Sequence, residues 1–127
     1  MKQIIITGAS KGIGKATALK LLSENYQVIG ISRTHSIKDK NYLAIYQNME
    51  YLDELSDSIK TILKKNKNIV ALISNAGEGV FDNLENISEK VIKNYLNLNL
   101  IAHMIISKNL VTYFKKKKER IFYIFRI

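Results

Sequence analysis

The chain has 127 residues, a length that suits one domain with its own hydrophobic core. It contains no cysteine, which excludes disulfides, thiolate chemistry and zinc sites that use sulfur. The formal net charge is +9, but the lysines are spread along the sequence and only Lys115 to Lys118 form a run. We therefore interpret the charge as solvated surface and expect no nucleic-acid partner, since no nucleic-acid motif accompanies it.

The apolar runs of the sequence are short, and polar residues interrupt them well before the ~18 residues that a membrane span requires. The chain passes from Met1 directly into a strand-like segment, without the architecture of a secretory signal. We therefore expect a cytoplasmic protein that has no membrane partner.

The first predicted strand, residues 2–7, leads into the sequence TGASKGIG at residues 7–14, and a helical pattern follows over residues 12–23. The expected buried stripe of that helix is Ile13, Ala16, Leu19 and Leu22. Three glycines in this turn lack the Cβ atoms that would keep a phosphate away from the backbone, and the N–H groups at the helix start can bind an anion. The spacing is G-x-x-x-G-x-G, so on its own the turn also fits an ordinary strand-to-helix connection.

Further along the chain, strands are predicted at residues 26–32, 42–46 and 68–74, and a helix at residues 52–65. The expected apolar stripe of that helix is Leu52, Leu55, Ile59, Ile62 and Leu63. The chain is predicted to be helical from Ser88, a candidate N-cap, and to end in a strand at residues 120–127. This alternation predicts one α/β domain over residues 1–127, with a Rossmann-like, doubly wound parallel sheet of about five strands.

Three features of the sequence occur together: the glycine turn at residues 7–14, the triplet Asn75-Ala76-Gly77 after the fourth strand, and Asn99 in the long helix. In this combination the chain resembles the short-chain dehydrogenase/reductase family over residues 2–124. The resemblance implies hydride transfer between NADP(H) and a small carbonyl or alcohol substrate. Members of the family are usually homo-oligomers that pair through the long helix and the next one; the sequence does not contain that next helix, so the oligomeric state of this chain stays open.

The resemblance assigns most of the matching residues to cofactor binding. In the first turn these residues are Thr7, Gly8, Ser10, Lys11, Gly12, Ile13 and Gly14. The glycines would lie beneath the pyrophosphate, and Asn75, Ala76 and Gly77 would flank the ribose and the nicotinamide. Members usually carry an Asp that binds the adenine amine, and Asn48 stands at that position. An Asn can still accept this hydrogen bond.

The choice between NAD and NADP depends on the residues that follow the second strand. Dinucleotide folds that bind NAD place an acid there, which bonds the ribose 2′-hydroxyl. Here residues 30–33 are Gly-Ile-Ser-Arg, without an acid, and Arg33 and Lys11 can both reach a 2′-phosphate. The alternative is that both are ordinary exposed cations of a basic protein. We predict that NADP(H) is favoured over NAD(H).

The family's catalytic residues are a helix Asn, a Ser, and a Tyr with a Lys four residues later. Asn99 fits the first role, in which it anchors a proton-relay water, and Asn97 fits less well because it lies about 200° away around the helix. The Ser and the Tyr-x-x-x-Lys are expected after the fifth strand, where the sequence ends in residues 125–127. We therefore expect a domain that is incomplete at its C-terminal end, with the fifth strand as an exposed edge. The abrupt change of sequence after Ile124 suggests a frameshift or premature stop, and a genuine terminus stays open as the alternative.

Tyr113 and Lys117 satisfy the Tyr-x-x-x-Lys spacing, but they precede the fifth strand and are expected on the far side of the sheet from the cofactor. We interpret them as a helix C-terminus, where the positive charge of lysines interacts favourably with the helix dipole.

His35 and His103 have no partners at metal-ligand or triad spacing, and no metal site is predicted. Two functions remain open: the NADP-binding part of a reductase, inactive as this chain, or a non-catalytic nucleotide-binding module or decayed gene product.

Overall fold

The computed structural model describes residues 1–117 and the backbone of residues 123–126. Its strands are β1 (Gln3–Thr7), β2 (Gln27–Ser32), β3 (Tyr42–Tyr46), β4 (Ile69–Ser74) and β5 (Tyr123–Arg126). Its helices are α1 (Gly12–Ser23), α2 (Leu52–Lys65), α3 (Glu89–Leu96) and α4 (Ala102–Lys115), and the π-helical segment Asn97–Ile101 joins the last two. A 3₁₀ turn, Leu84–Asn86, precedes α3.

The strands form one parallel sheet in the order β3-β2-β1-β4-β5. This is the Rossmann-like α/β architecture that the alternation of strands and helices predicts. The strand predicted at residues 120–127 is present as β5, although residues 118–122 and 127 lie outside the described part of the chain. Because all strands run in the same direction, the turns after β1, β2 and β4 meet at one edge of the sheet.

Helices cover both faces of the sheet, which explains why its strands are almost continuously apolar. Ile5 at the centre of β1 belongs to a core with α2 and α4, whereas its neighbours Ile4 and Ile6 pack on the other face with α1. The predicted stripe of α2 is confirmed. Its buried residues are Leu55, Ile59 and Ile62, with Leu52 and Leu63 packed against the same core.

The bounds predicted for α1 were right, but its predicted stripe was right only at Leu22 and wrong at Ile13, Ala16 and Leu19, which are exposed. Ile13 and Leu19 are 64% and 48% exposed, and the buried residues of α1 are Gly14, Ala18 and Leu22. The reason is a tertiary contact at the start of the helix. An ideal Cβ at Gly14 would overlap the carbonyl oxygen of Gly8, so the turn packs directly against this side of the helix. That contact, rather than the apolar spacing, decides which face is buried.

β3 forms the outer edge of the sheet. The side chain of its Tyr42 occupies the space that a Cβ on Gly30 of β2 would need. Its hydroxyl lies 2.6 Å from His35 Nδ1, and His35 Nε2 lies 2.9 Å from the carbonyl oxygen of Ile45. A carbonyl can only accept, so Nε2 carries the ring hydrogen and a neutral His35 accepts from Tyr42 at Nδ1. Burial, with the nearby Tyr46, raises the pKa of Tyr42 to about 12.

This raised pKa predicts a pH dependence of stability. Folding favours the neutral phenol, so the stabilisation is fully present below the unfolded pKa of about 10 and is lost as the pH rises through the folded value. We expect Tyr42→Phe to cost ~1 kcal/mol at pH 8 through the lost hydrogen bond, and to cost less near pH 12. Urea unfolding at both pH values measures the difference. Tyr51→Phe, which removes an exposed phenol, is the control, and a Tyr42→Phe cost that does not change with pH would contradict the assignment.

Candidate functional site

The carboxyl ends of β1 and β4 are joined by the side chains of Thr7 and Asn75. Thr7 is fully buried, and its Oγ1 accepts hydrogen bonds from the backbone N–H groups of Asn75 and Ala76, both at 3.0 Å. Asn75 donates its Nδ2 to the carbonyl oxygens of Thr7 and Gly8 at 3.1 and 3.0 Å. These four hydrogen bonds fix the glycine turn against the turn after β4. The structure thus brings together two of the motifs on which the sequence prediction depended.

The three glycines of the turn are required for different reasons. Gly8 has a φ of +72°, and a Cβ there would lie 2.9 Å from Ala76 Cα. Gly14 has no room for a Cβ, because Gly8 and the Asn75 side chain occupy that space. Gly12 has a φ of +58°, but a Cβ on it would meet no atom within 4 Å. The protein's own packing therefore explains Gly8 and Gly14, while Gly12 borders open space that a ligand can enter.

The start of α1 is suited to an anion. Its N-cap residue, Lys11, makes no side-chain capping hydrogen bond, and its first turn contains no acid. In α3, by contrast, Ser88 Oγ accepts from Val91 N at 3.2 Å, which confirms the predicted N-cap. The first N–H groups of a helix have no partner within it, and the helix dipole adds positive potential at this end. An anion beside Gly12 would satisfy these groups.

Arg33 lies directly after β2, and Glu78 lies in the loop after β4. Arg33 Nη2 is 2.9 Å from Glu78 Oε1, and the two side chains are 62% and 49% exposed. In the sheet β1 lies between β2 and β4, so this ion pair spans the carboxyl end of β1. Sequence reasoning missed Glu78, because 45 residues separate the partners. The only signal was an acid directly after the Asn75-Ala76-Gly77 triplet.

Asn99 lies in the π-helical segment and holds the loop after β4. Its Oδ1 accepts from the backbone N–H of Glu78 and its Nδ2 donates to the carbonyl oxygen of Glu78, both at 3.0 Å. A π-helical segment interrupts the regular hydrogen bonding of an α-helix and is frequent at functional sites. The side chain of Asn99 is therefore a positioning element of this loop, and its predicted part in proton relay stays a prediction.

A second residue of the long helix, His103, holds the same loop. It is buried, and its Nε2 lies 2.8 Å from the carbonyl oxygen of Ala76.

In residues 1–117, no three His, Asp or Glu side chains come together as metal ligands. No helix among the described residues has the length and apolar character needed to cross a membrane.

Asn48, the predicted adenine contact, lies after β3 in a half-buried turn. Its Oδ1 accepts from the backbone N–H of Glu50 at 3.0 Å, and its carbonyl oxygen accepts from Gln47 Nε2 at 2.9 Å. An adenine amine would therefore share Asn48 Oδ1 with the backbone N–H of Glu50, in the turn that precedes α2. Ser10 and Gly77, the remaining predicted residues, lie on the turns after β1 and β4, half-buried and exposed respectively.

The Tyr-x-x-x-Lys sequence at residues 113–117 lies at the amino ends of the strands, opposite the carboxyl ends where the glycine turn lies. Tyr113 Oη donates to the carbonyl oxygen of Asn66 at 3.0 Å and accepts from Ile69 N at 3.3 Å, at the amino end of β4. Lys117 Nζ lies 4.7 Å from the centre of the Tyr113 ring. Tyr113 therefore joins α4 to the start of β4, on the far side from the glycine turn, as its position in the chain predicts.

An apolar groove of about 210 Å³ lies against α3, lined by Val80, Ile87, Val91, Ile92, Tyr95 and Leu96. Leu96, Leu100 and Met104, spaced four residues apart, are exposed along the same long helix. None of these residues belongs to the glycine turn.

Comparison with known proteins agrees with this geometry. The family model described as short chain dehydrogenase matches residues 2–124. The 3-oxoacyl-(acyl-carrier-protein) reductase of Buchnera aphidicola subsp. Schizaphis graminum is 31% identical over 124 residues, which are 92% of this chain and 51% of that protein. The chain thus spans about half the length of this relative.

Two solved structures share the fold. A short-chain dehydrogenase from Leptospira borgpetersenii with bound NAD⁺ has a TM-score of 0.83 at 23% identity, over 91% of this chain and 46% of that chain. The protein ElxO with NADP bound has a TM-score of 0.79 at 25% identity, over 91% of this chain and 51% of that chain. The chain belongs to the short-chain dehydrogenase family, a family of oxidoreductases that bind nicotinamide dinucleotides.

Proposed function

We propose that this chain binds NADP(H) at the carboxyl edge of its sheet and belongs to a protein that transfers hydride between NADP(H) and a small carbonyl or alcohol. The observation that carries the proposal is the open space above Gly12, beside the uncapped start of α1. Lys11, the N-cap residue of α1, adds a positive charge beside this space, and Arg33 follows β2 at the same edge of the sheet. A dinucleotide phosphate matches both the shape and the charge of that position.

Each part of the turn has its own task in this proposal. The backbone of Gly12 and Ile13 receives the pyrophosphate, while Thr7 and Asn75 hold the turn in place and Ser10 lies beside the phosphates. Lys11 and Arg33 bind the 2′-phosphate, because a guanidinium can donate two hydrogen bonds to a phosphate. The triplet Asn75-Ala76-Gly77 borders the ribose and the nicotinamide, and Asn48 receives the adenine. The bound nicotinamide supplies or accepts the hydride.

The second candidate is a nucleotide-binding module that performs no reduction. In these 127 residues Tyr113 is the only tyrosine with a lysine four positions later. Its hydroxyl is bonded at the amino end of β4, opposite the glycine turn. We therefore propose that the chain by itself binds the nucleotide without reducing carbonyls, and that Asn99 contributes by fixing the loop next to the cofactor.

A titration of the 127-residue chain with NADPH and with NADH tests the cofactor assignment. We expect NADPH to bind about tenfold more tightly, because one exposed charge-assisted contact to the 2′-phosphate is worth ~1.4 kcal/mol. Calorimetry measures both dissociation constants. Equal affinities, or no binding of either nucleotide, would contradict the assignment. The same mixtures, given carbonyl substrates, should keep their absorbance at the NADPH band, and consumption of NADPH would show that the chain is catalytic by itself.

Two alanine substitutions in the glycine turn separate ligand contact from protein packing. Gly12→Ala places a methyl group in the open space, so we expect NADPH affinity to fall at least about tenfold while the left-handed φ costs ~1–2 kcal/mol of stability. Gly14→Ala forces a methyl group against Gly8 and Asn75, so we expect it mainly to destabilise the fold, by ~1–3 kcal/mol. Urea unfolding and NADPH titration of both variants provide the measurements. A Gly12→Ala chain that is folded and binds NADPH like the wild type would disprove the phosphate position.

A further inference from the structure

The Arg33–Glu78 ion pair occupies the position that the proposed function gives to the ribose of the adenosine. Arg33 is at the end of β2, and Glu78 reaches it from the loop after β4, over the end of β1. Neighbouring strands lie roughly 4.8 Å apart, so the two backbones are about two strand spacings from each other. A dinucleotide that runs along this edge has to pass the ion pair.

The position of Glu78 is set by its backbone. Both its N–H and its carbonyl oxygen are bonded to the side-chain amide of Asn99 at 3.0 Å. Neither bond involves the carboxylate, which is free to turn between Arg33 and a ligand without disturbing the loop. A substitution of the carboxylate therefore leaves these two hydrogen bonds in place.

The Glu78 carboxylate opposes the binding of a 2′-phosphate. This carboxylate lies 2.9 Å from Nη2 of the guanidinium that the phosphate requires, so the phosphate has to displace the carboxylate or bind directly beside it. A displaced Glu78 carboxylate remains close to the phosphate and repels it, since both groups are negative. The ion pair itself is half-exposed and contributes little to stability, so it can be broken by a ligand.

The same carboxylate favours the binding of a ribose that carries a free 2′-hydroxyl. Folds that bind NAD use an acid at the end of the second strand to accept a hydrogen bond from this hydroxyl. Residues 30–33, at the end of β2, contain no acid, but the Glu78 carboxylate reaches this place from the loop after β4, as its contact with Arg33 shows. Arg33 and Glu78 are thus opposite charges at one ribose position, and each suits one of the two cofactors.

We propose that Glu78 is a specificity-determining residue, which opposes binding of the 2′-phosphate and accepts the ribose 2′-hydroxyl, so that it narrows the preference of the site for NADP(H) and allows NAD(H) to bind more weakly at the same position. This inference rests on the proposed dinucleotide function and concerns its cofactor preference.

The test uses two nucleotides that differ only in the phosphate, namely 2′,5′-ADP and 5′-AMP. Their affinities are measured by calorimetry for the wild-type chain and for Glu78→Gln. Loss of the carboxylate should raise the preference for 2′,5′-ADP about tenfold, as expected for removing one charge beside the phosphate. The gain should shrink as the salt concentration rises, because salt screens the repulsion. An unchanged preference in Glu78→Gln would overturn the proposal.

Glu85→Gln is the matched control, because it removes the same charge from the 3₁₀ turn Leu84–Asn86, seven residues further along the chain. It should leave the preference unchanged, and an equal gain in this variant would overturn the proposal in favour of a general charge effect. Arg33→Gln separates the inference from the proposed function. If Arg33→Gln weakens 2′,5′-ADP and Glu78→Gln changes nothing, only the inference fails. If the wild type binds neither nucleotide, the proposed function itself fails.

Discussion

The hydrogen bonds between Thr7 and the segment Asn75–Ala76 are the constraint on which the rest of the site depends. Two parallel strands end at the same edge, and the Thr7 hydroxyl supplies an acceptor for two N–H groups at the end of β4. Asn75 returns two hydrogen bonds to the first residues of the glycine turn. Gly8 and Gly14 then have to be glycines, because the groups that make these bonds fill the space of their side chains.

The same loop is fixed from its other side by the long helix. His103 contacts the carbonyl oxygen of Ala76, and Asn99 bonds both backbone groups of Glu78. The loop after β4 is thus held between β1 and the helix, which explains how an exposed Glu78 side chain can reach Arg33 across the end of β1. In the proposed site, a residue 45 positions along the chain from Arg33 therefore sets the charge at the position of the ribose.

The sequence predicted the strands, α2 and the cap of α3 because those features depend on local patterns: apolar runs, helical spacing and a serine before a helix. It also predicted the position of Tyr113 on the far side of the sheet from the glycine turn, because that position follows from the order of elements along the chain. It predicted only Leu22 of the buried face of α1 correctly, since Gly14 is buried by a contact with Gly8 rather than by apolarity. The pairing of Arg33 with Glu78 and of Asn99 with the Glu78 backbone joins distant segments, and no local pattern contains that information.

The most direct test of the account is a residue-by-residue map of nucleotide binding. Two-dimensional ¹H–¹⁵N spectra of the labelled 127-residue chain, recorded during titration with NADPH, report the amides that the nucleotide contacts. If the nucleotide binds at the glycine turn, the largest shifts fall on Gly12, Ile13 and Gly14, with further shifts at Arg33 and at Ala76. Saturating NADPH that leaves the amides of the glycine turn unchanged, or that shifts only residues of the apolar groove against α3, would contradict it.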